Sequence, residues 1–480
     1  MDPACVSSRN AVARLYGLEV PTTKAIIVPA SSFAPFPVAP PAARRKPDLF
    51  TGAVAFVAAH VVLGIVASQV PMVATIHGAL TAITAVVVAF TSPRIDRIVA
   101  AAGYCAMCDV FWRMSKSVMP WEASKYLSLL VLLIAFFRFV KRPHDIQLPV
   151  LYLALLVPGC LIGLVLLGPA VARDQISLNI AGPALLGVGV IVMRQLIGTE
   201  RELSFILWAM IGPIVAIVTI ATRGTLITDS LKFTSASNFQ TSGGFGPNQV
   251  STMLGLGVLL CVLLSLVKAT TKMLALQVGL GAWFGAQALL TFSRGGLYSA
   301  GAGVIAIVLV AIATRGARTR VIAGIIIGLV VAVALFPSLN DFTGDAIGAR
   351  FEKSGTSGRD QIANADMDLF VQSPLFGVGV GVAKTERANT ATAYDVEAKA
   401  HTEWTRLLAE HGILGFVAGA LLLVMAVQGI KRSTTRWNRM VAASCAAWSL
   451  VTMAHSATSV AAICFAFTLS QIRLTKAERT

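Results

Sequence analysis

The sequence predicts an all-α polytopic membrane protein with about 12–14 transmembrane helices and one large, partly helical loop. Three observations carry that expectation. More than half of the 480 residues are apolar and only 13% are charged. Apolar runs of about twenty residues, the length that crosses a bilayer as a helix, recur along the chain between short charged connectors. Basic residues, finally, collect in alternate connectors, as the insertion of a multi-span chain requires. The two to four soluble domains that such a length would otherwise imply do not apply.

In chain order, spans are expected near residues 51–69, 73–91, 97–112, 123–139, 147–167, 179–197, 203–222, 248–267, 273–292, 297–313, 321–337, 412–430, 440–456 and 458–472. With a cytoplasmic N-terminus, the inner connectors hold Arg94 and Arg97; Arg138, Lys141 and Arg142; Arg194 and Arg201; Lys268 and Lys272; Arg315, Arg318 and Arg320; Lys431, Arg432, Arg436 and Arg439; and a tail with Arg473, Lys476 and Arg479. The interval between Pro337 and Gly412 runs the other way, with eleven acidic and seven basic residues. The net charge of +16 therefore reads as a topology signal and not as a nucleic-acid surface.

This divides the chain into a Pro-rich, basic, disordered cytoplasmic tail (1–50), a transmembrane bundle (51–337), an outer loop carrying site residues (338–411), C-terminal transmembrane helices (412–472) and a cytoplasmic tail (473–480). No signal-peptide core opens the chain. The basic tail favours two short crossings over one between 440 and 472. Of seven cysteines, Cys105 and Cys108 form a C-x-x-C inside an apolar span with no second pair, which reads as small core residues.

Most of the potential chemistry outside the spans faces one compartment, the outer one. Thr291-Phe292-Ser293-Arg294-Gly295-Gly296 places one arginine between two apolar spans. A guanidinium there offers a planar fork for phosphate oxygens, and the glycines would let a ligand approach the backbone. The bland alternative is an arginine snorkelling at a tight turn. Gly243 to Asn248 opens another span, with Asn248 as a headgroup-orienting candidate. A third connector clusters Asp109, Arg113, Trp121, Glu122, Lys125 and Tyr126; Glu122 and Lys125 are spaced to pair along a helix. Lys232 stands on a further outer connector.

The long interval carries apolar and aromatic residues and reads as a folded cap. Its Gly377-Val378-Gly379-Val380-Gly381-Val382-Ala383-Lys384-Thr385 run misses the phosphate-loop pattern, with Val378 and Ala383 where glycine is needed. Asp366-Met367-Asp368 is a lone triplet and a weak metal signal. His401 is one of only six histidines and stands in a polar segment that turns helical, where a near-neutral pKa suits it to accept or hold a proton. The residues offer no convincing metal cluster.

Three ordered segments resemble the O-antigen ligase and polymerase superfamily of bacterial envelope glycosyltransferases: Ser293-Arg294-Gly295-Gly296; Arg359 ahead of Pro374-Leu375-Phe376-Gly377-Val378-Gly379; and His401 eleven residues before Gly412. The resemblance covers roughly residues 240–430. It implies a multi-pass protein of the bacterial inner membrane whose periplasmic loop folds over a cavity. The implied activity is glycan transfer from an undecaprenyl-pyrophosphate donor to a periplasmic acceptor, such as lipid A-core, without metal or other cofactor. By the same resemblance, Arg294 and Arg359 bind pyrophosphate and His401 activates or positions the acceptor hydroxyl, with Asn248, Arg113, Glu122, Lys125 and Lys232 as supporting candidates. Thr402 departs from the Asn, Ser or Gln that often follows the histidine in ligases, so a polymerase or a protein O-oligosaccharyltransferase stays open. A transporter or lipid-linked-sugar flippase is the competing class; no internal repeat supports it.

Overall fold

A computed structural model describes residues 49–475 apart from 229–230, 235, 268–269, 314–323, 325–327, 329, 331–332, 335, 353–358 and 391–401. Residues 1–48 of the expected tail, most of the expected span 321–337, and 476–480 lie outside the described residues. The helices are α1 (Leu49–Gln69), α2 (Pro71–Thr91), α3 (Ile95–Met114), α4 (Ala123–Phe139), α5 (Gln147–Gln195), α6 (Glu200–Ile227), α7 (Pro247–Ser265), α8 (Thr271–Leu290) and α9 (Arg294–Ala313). The long interval contributes α10 (Ala346–Glu352), α11 (Arg359–Gln372) and α12 (Val382–Thr390), followed by α13 (Glu403–Arg432), α14 (Arg436–Ser456) and α15 (Ala461–Leu469). The two-residue strands β1 (Ile197–Gly198) and β2 (Arg473–Leu474) pair in parallel, Ile197 opposite Arg473. The chain is an all-α polytopic membrane protein.

Local chemistry fixes several helix starts. Pro71 and Pro247 occupy first-turn positions, where the missing N–H costs nothing. Thr199 and Glu202 cap α6 reciprocally: the Glu202 N–H donates to Thr199 Oγ1 at 3.3 Å, and the Thr199 N–H to Glu202 Oε2 at 2.8 Å. Thr402 and Thr435 cap α13 and α14 in the simpler way, each accepting from the amide three residues on.

Among the described residues, eight helices are long and apolar enough to cross a membrane. They include α5, whose 49 residues suffice for two crossings. Most of the expected spans that fall short of that standard belong to the bundle interior. Helix α3 carries Asp96, Arg97, Asp109 and Arg113, and α14 is rich in serine and alanine; both are packed by neighbours and need not be lipid-like. The most apolar stretch of α6 is 78% buried, against 11% for α1. Large apolar side chains such as Val62, Phe137, Val165 and Phe416 point outward. In water such a surface would aggregate; in lipid it is the expected exterior.

Two boundaries differ from expectation, and a third falls at the expected division between 456 and 458. Helix α5 continues past a break at Gly168 (φ 72°), so Arg173 and Asp174 sit exposed on its second half and not in a connector. Helix α13 begins at Glu403 and is broken at Gly412, instead of beginning there. The final segment turns at Ala457 and runs back along α14: the Ala461 N–H donates to Asp109 Oδ2 at 2.8 Å, and Arg473 pairs with Ile197. Its helix, α15, has nine residues and is wholly buried.

The connectors gather at two ends. At one, Arg194 donates to the Asp145 carbonyl, Gln428 and Gln471, and Arg432 pairs with Asp145 at 2.6 Å. At the other meet the end of α3, the starts of α4 and α7, the 456–459 turn and the cap formed by the long interval. Between them, His60, Tyr104, His77 and Trp112 form a hydrogen-bonded chain that ties α1, α2 and α3 together.

Candidate functional site

The cap is anchored by the Pro374–Gly381 segment, which threads between α5 and the break in α13. Its backbone bonds to both helices: the Val378 N–H to the Ala409 carbonyl at 2.9 Å, the Gly379 N–H to the Glu410 carbonyl at 3.2 Å and the Val380 N–H to the Gly159 carbonyl at 2.9 Å. Residues 377, 379 and 381 all have positive φ, which glycine adopts without strain. A Cβ at Gly377 would lie 2.4 Å from the His411 amide nitrogen. The near-miss phosphate loop is therefore a backbone clamp. It places the Gly381 N–H 3.1 Å from Glu410 Oε1.

Beneath the cap lies a cavity of about 320 Å³. Arg113, Lys125, Lys384, Arg387 and Arg406 line it, with Glu122 and Glu410; Asn248, Gln249, Asn179 and Ser456 to Ser459 complete the polar wall. Arg113 pairs with Asp109 at 2.8 Å and Glu122 at 3.6 Å, donates to the Trp121 carbonyl and stacks on the Trp121 ring at 4.4 Å. Lys125 pairs with Glu122 at 2.5 Å.

Arg406 is buried and bridges two carboxylates, Glu403 and Glu410, each at 2.5 Å. Glu403 also accepts from the Thr458 N–H and hydroxyl, both at 3.2 Å, so it fixes the 456–459 turn while Asp109 fixes the residue that opens α15. Arg387 pairs with the buried Asp366 at 3.1 Å, and Asp366 accepts from the Thr405 hydroxyl at 2.8 Å. Burial pushes the Asp366 carboxyl above its ordinary pKa, against the opposing pull of Arg387, the Thr405 hydroxyl and Arg406. Lys384 alone of the five cations has no carboxylate within ion-pair distance among the described residues.

Four of the residues expected from sequence, Arg113, Glu122, Lys125 and Asn248, thus line one cavity. Arg294 lies outside that lining, in a neighbouring crevice with Phe292, Ser293, Ile347 and Arg350. Its turn is nonetheless braced from the cavity wall: Ser251 donates to the Ser293 carbonyl at 2.8 Å, Ser293 approaches Asn248 Oδ1 at 3.4 Å, and Asn248 donates to the His455 carbonyl. The spaces at Gly295 and Gly296 are filled by His455 and the Ser251 backbone, so these glycines serve helix packing and not ligand approach. Lys232 is exposed and lies outside both linings. Arg359 opens α11, its side chain outside the described positions, and His401 lies outside the described residues.

Lys384, Arg387, Arg406 and Glu410 were not singled out from sequence. A signal existed for the last two: Glu403, Arg406 and Glu410, three and four apart, form a charged ladder leading into an apolar run. Asp366 and Asp368 do not converge, since Asp366 is buried on Arg387 while Asp368 is exposed. Among the described residues, no three His, Cys, Asp or Glu side chains are grouped to hold a metal. Cys105 and Cys108 are free and buried.

A family model described as O-antigen ligase matches residues 279–420. This stretch is similar to the O-antigen ligase family. The match runs from α8 through the Arg294 turn and the cap into α13, under a third of the chain. A search of curated proteins returned no match. The matched stretch contributes Gly381, Lys384, Arg387, Arg406 and Glu410 to the cavity, and the segments before and after it contribute the rest.

Proposed function

We propose that the chain is a membrane glycosyltransferase that moves a glycan from an undecaprenyl-pyrophosphate donor to an acceptor on the periplasmic face, with the cavity under the cap as the transfer site. The observation that carries this reading is the convergence of five cationic side chains on a cavity partly built by the stretch that is similar to the O-antigen ligase family. Cations held in a partly desolvated wall can stabilise charge developing on a pyrophosphate leaving group. Most are already engaged by carboxylates, which fixes their geometry before the donor arrives.

In this reading Arg294 and Arg359 contact the pyrophosphate, and His401 accepts or positions the acceptor hydroxyl. Charge stabilisation and proton transfer are supplied, in this reading, by side chains, without a metal. O-antigen ligase chemistry, with lipid A-core as acceptor, stands ahead of a polymerase that extends the glycan on its carrier and of a protein O-oligosaccharyltransferase. The reading places the protein in the bacterial inner membrane with the cap periplasmic, in keeping with the acidic balance of that interval.

The test is reconstitution. Purified protein is given a lipid-linked glycan with a lipid A-core acceptor, a second donor molecule or a hydroxyl-bearing acceptor peptide, and product size is read on a gel. Single attachment to core indicates a ligase, a ladder on the carrier a polymerase, and peptide modification an oligosaccharyltransferase. Wild-type transfer rates in Arg294→Ala, Arg359→Ala and His401→Ala would remove those residues from the site.

A further inference from the structure

Helix α11 has three faces. Asp366 and Leu369 are buried against the rest of the cap. Gln361, Asn364, Asp368 and Gln372 are exposed and polar. Met367 and Val371, four residues apart and so on one side, are exposed and apolar, Val371 at 73%. The same apolar line continues beyond the helix through Pro374, Leu375 and Phe376, all exposed. Apolar groups gathered along one edge of a polar cap need an environment other than water.

The neighbouring surface says what that environment is. The Ile413 N–H donates to the Pro374 carbonyl at 2.8 Å, so the strip abuts the start of the apolar part of α13. There Ile413, Phe416 and Val417 are exposed on a helix long and apolar enough to cross a membrane. The apolar edge of the cap is thus continuous with a lipid-facing wall. An apolar edge of this kind, joined to a lipid-facing helix and flanked by polar side chains, can be buried at the headgroup and acyl boundary of a bilayer.

We infer that this edge of the cap, from Met367 to Phe376, is seated in the lipid leaflet on the cap side of the bundle. The occupant of the strip is the acyl region just below the headgroups. Asp368 and Gln372 face the headgroup and water side. The cap is held at the membrane surface by its own apolar residues in addition to its two chain connections. The transfer cavity, with Gly381 and Glu410 in its wall, then opens close to the leaflet and not above it in water.

The experiment uses the unaltered chain in vesicles of phosphatidylethanolamine and phosphatidylglycerol that contain a phosphatidylcholine carrying a diazirine high on one acyl chain. After irradiation, lipid adducts are located by mass spectrometry of proteolytic peptides. Adducts on residues 371–376 at a yield within about threefold of those on 413–417 are expected, since both would contact the same acyl depth. Adducts on 413–417 with none on 371–376 overturn the inference and mean that the strip is covered by protein or lies in water. No glycan transfer is measured, so this result stands apart from the proposed activity.

Discussion

Arg406 gathers two carboxylates in a buried setting, and ion pairs of this kind hold geometry more than they add stability. With Arg113, Lys125 and Arg387 similarly engaged, the side chain best placed to receive an incoming anion is Lys384. Lys384→Ala is expected to raise the KM for a pyrophosphate-linked donor about tenfold, or ~1.4 kcal/mol, with kcat little changed, and Lys384→Arg to restore much of it. An unaltered KM would rule the contact out. Asp366 makes a pH prediction. Its pKa is raised by burial, so ionisation costs the folded state more than the unfolded chain. That cost is absent below the ordinary value of 3.8, grows as pH rises through the raised value, and persists above it. Thermal unfolding of the wild type compared with Asp366→Asn should therefore show a difference that moves against the wild type as pH rises through this window. A difference constant with pH would contradict it.

Helix α13 and the Pro374–Gly381 clamp act as one element. The break at Gly412 presents the last carbonyls of the first half of α13 sideways, and the clamp's amides take them up. This works because glycines at 377, 379 and 381 allow left-handed backbone and close approach together. At Gly379, φ is 98° and a Cβ would lie 2.8 Å from the Gly163 nitrogen, so Gly379→Ala meets both strain and a backbone clash. A loss of ~2 kcal/mol or more is expected, read as a lowered unfolding temperature in detergent. Alanine at the half-buried Gly301, where nothing lies within reach of a Cβ, is the control and should be neutral or stabilising. From sequence the glycine run was recognisable as a failed phosphate loop. Its partners, 31 residues ahead in α13 and more than 200 behind in α5, were not, because a backbone clamp leaves no side-chain signature on the helices it joins.

The whole molecule is a bundle whose connectors alternate between two ends, one rich in basic side chains and the other carrying the cap and its cavity. The positive-inside rule assigns the basic end to the cytoplasm. Alkaline phosphatase, active only outside the cytoplasm, should be active when fused after residue 385 and inactive when fused after residue 142. The reverse pattern would invert the proposed orientation. Hydrophobic periodicity and charge alternation alone determined the membrane class, most of the span positions and the grouping at one end of the connectors bearing Arg113, Glu122, Lys125 and Asn248, because a bilayer imposes length and charge rules that are local in sequence. The Ser-Arg-Gly-Gly turn, Pro-Leu-Phe-Gly-Val-Gly segment and histidine pointed to the family. Tertiary structure alone decided that Arg406 and Glu410 turn inward, that Lys384 and Arg387 join them, that Arg294 occupies the next crevice, and that the Ser456–Ser459 turn closes the wall. Those placements depend on which helices meet, and on carboxylates such as Glu403 and Asp109 that reach across the bundle to residues distant in the chain.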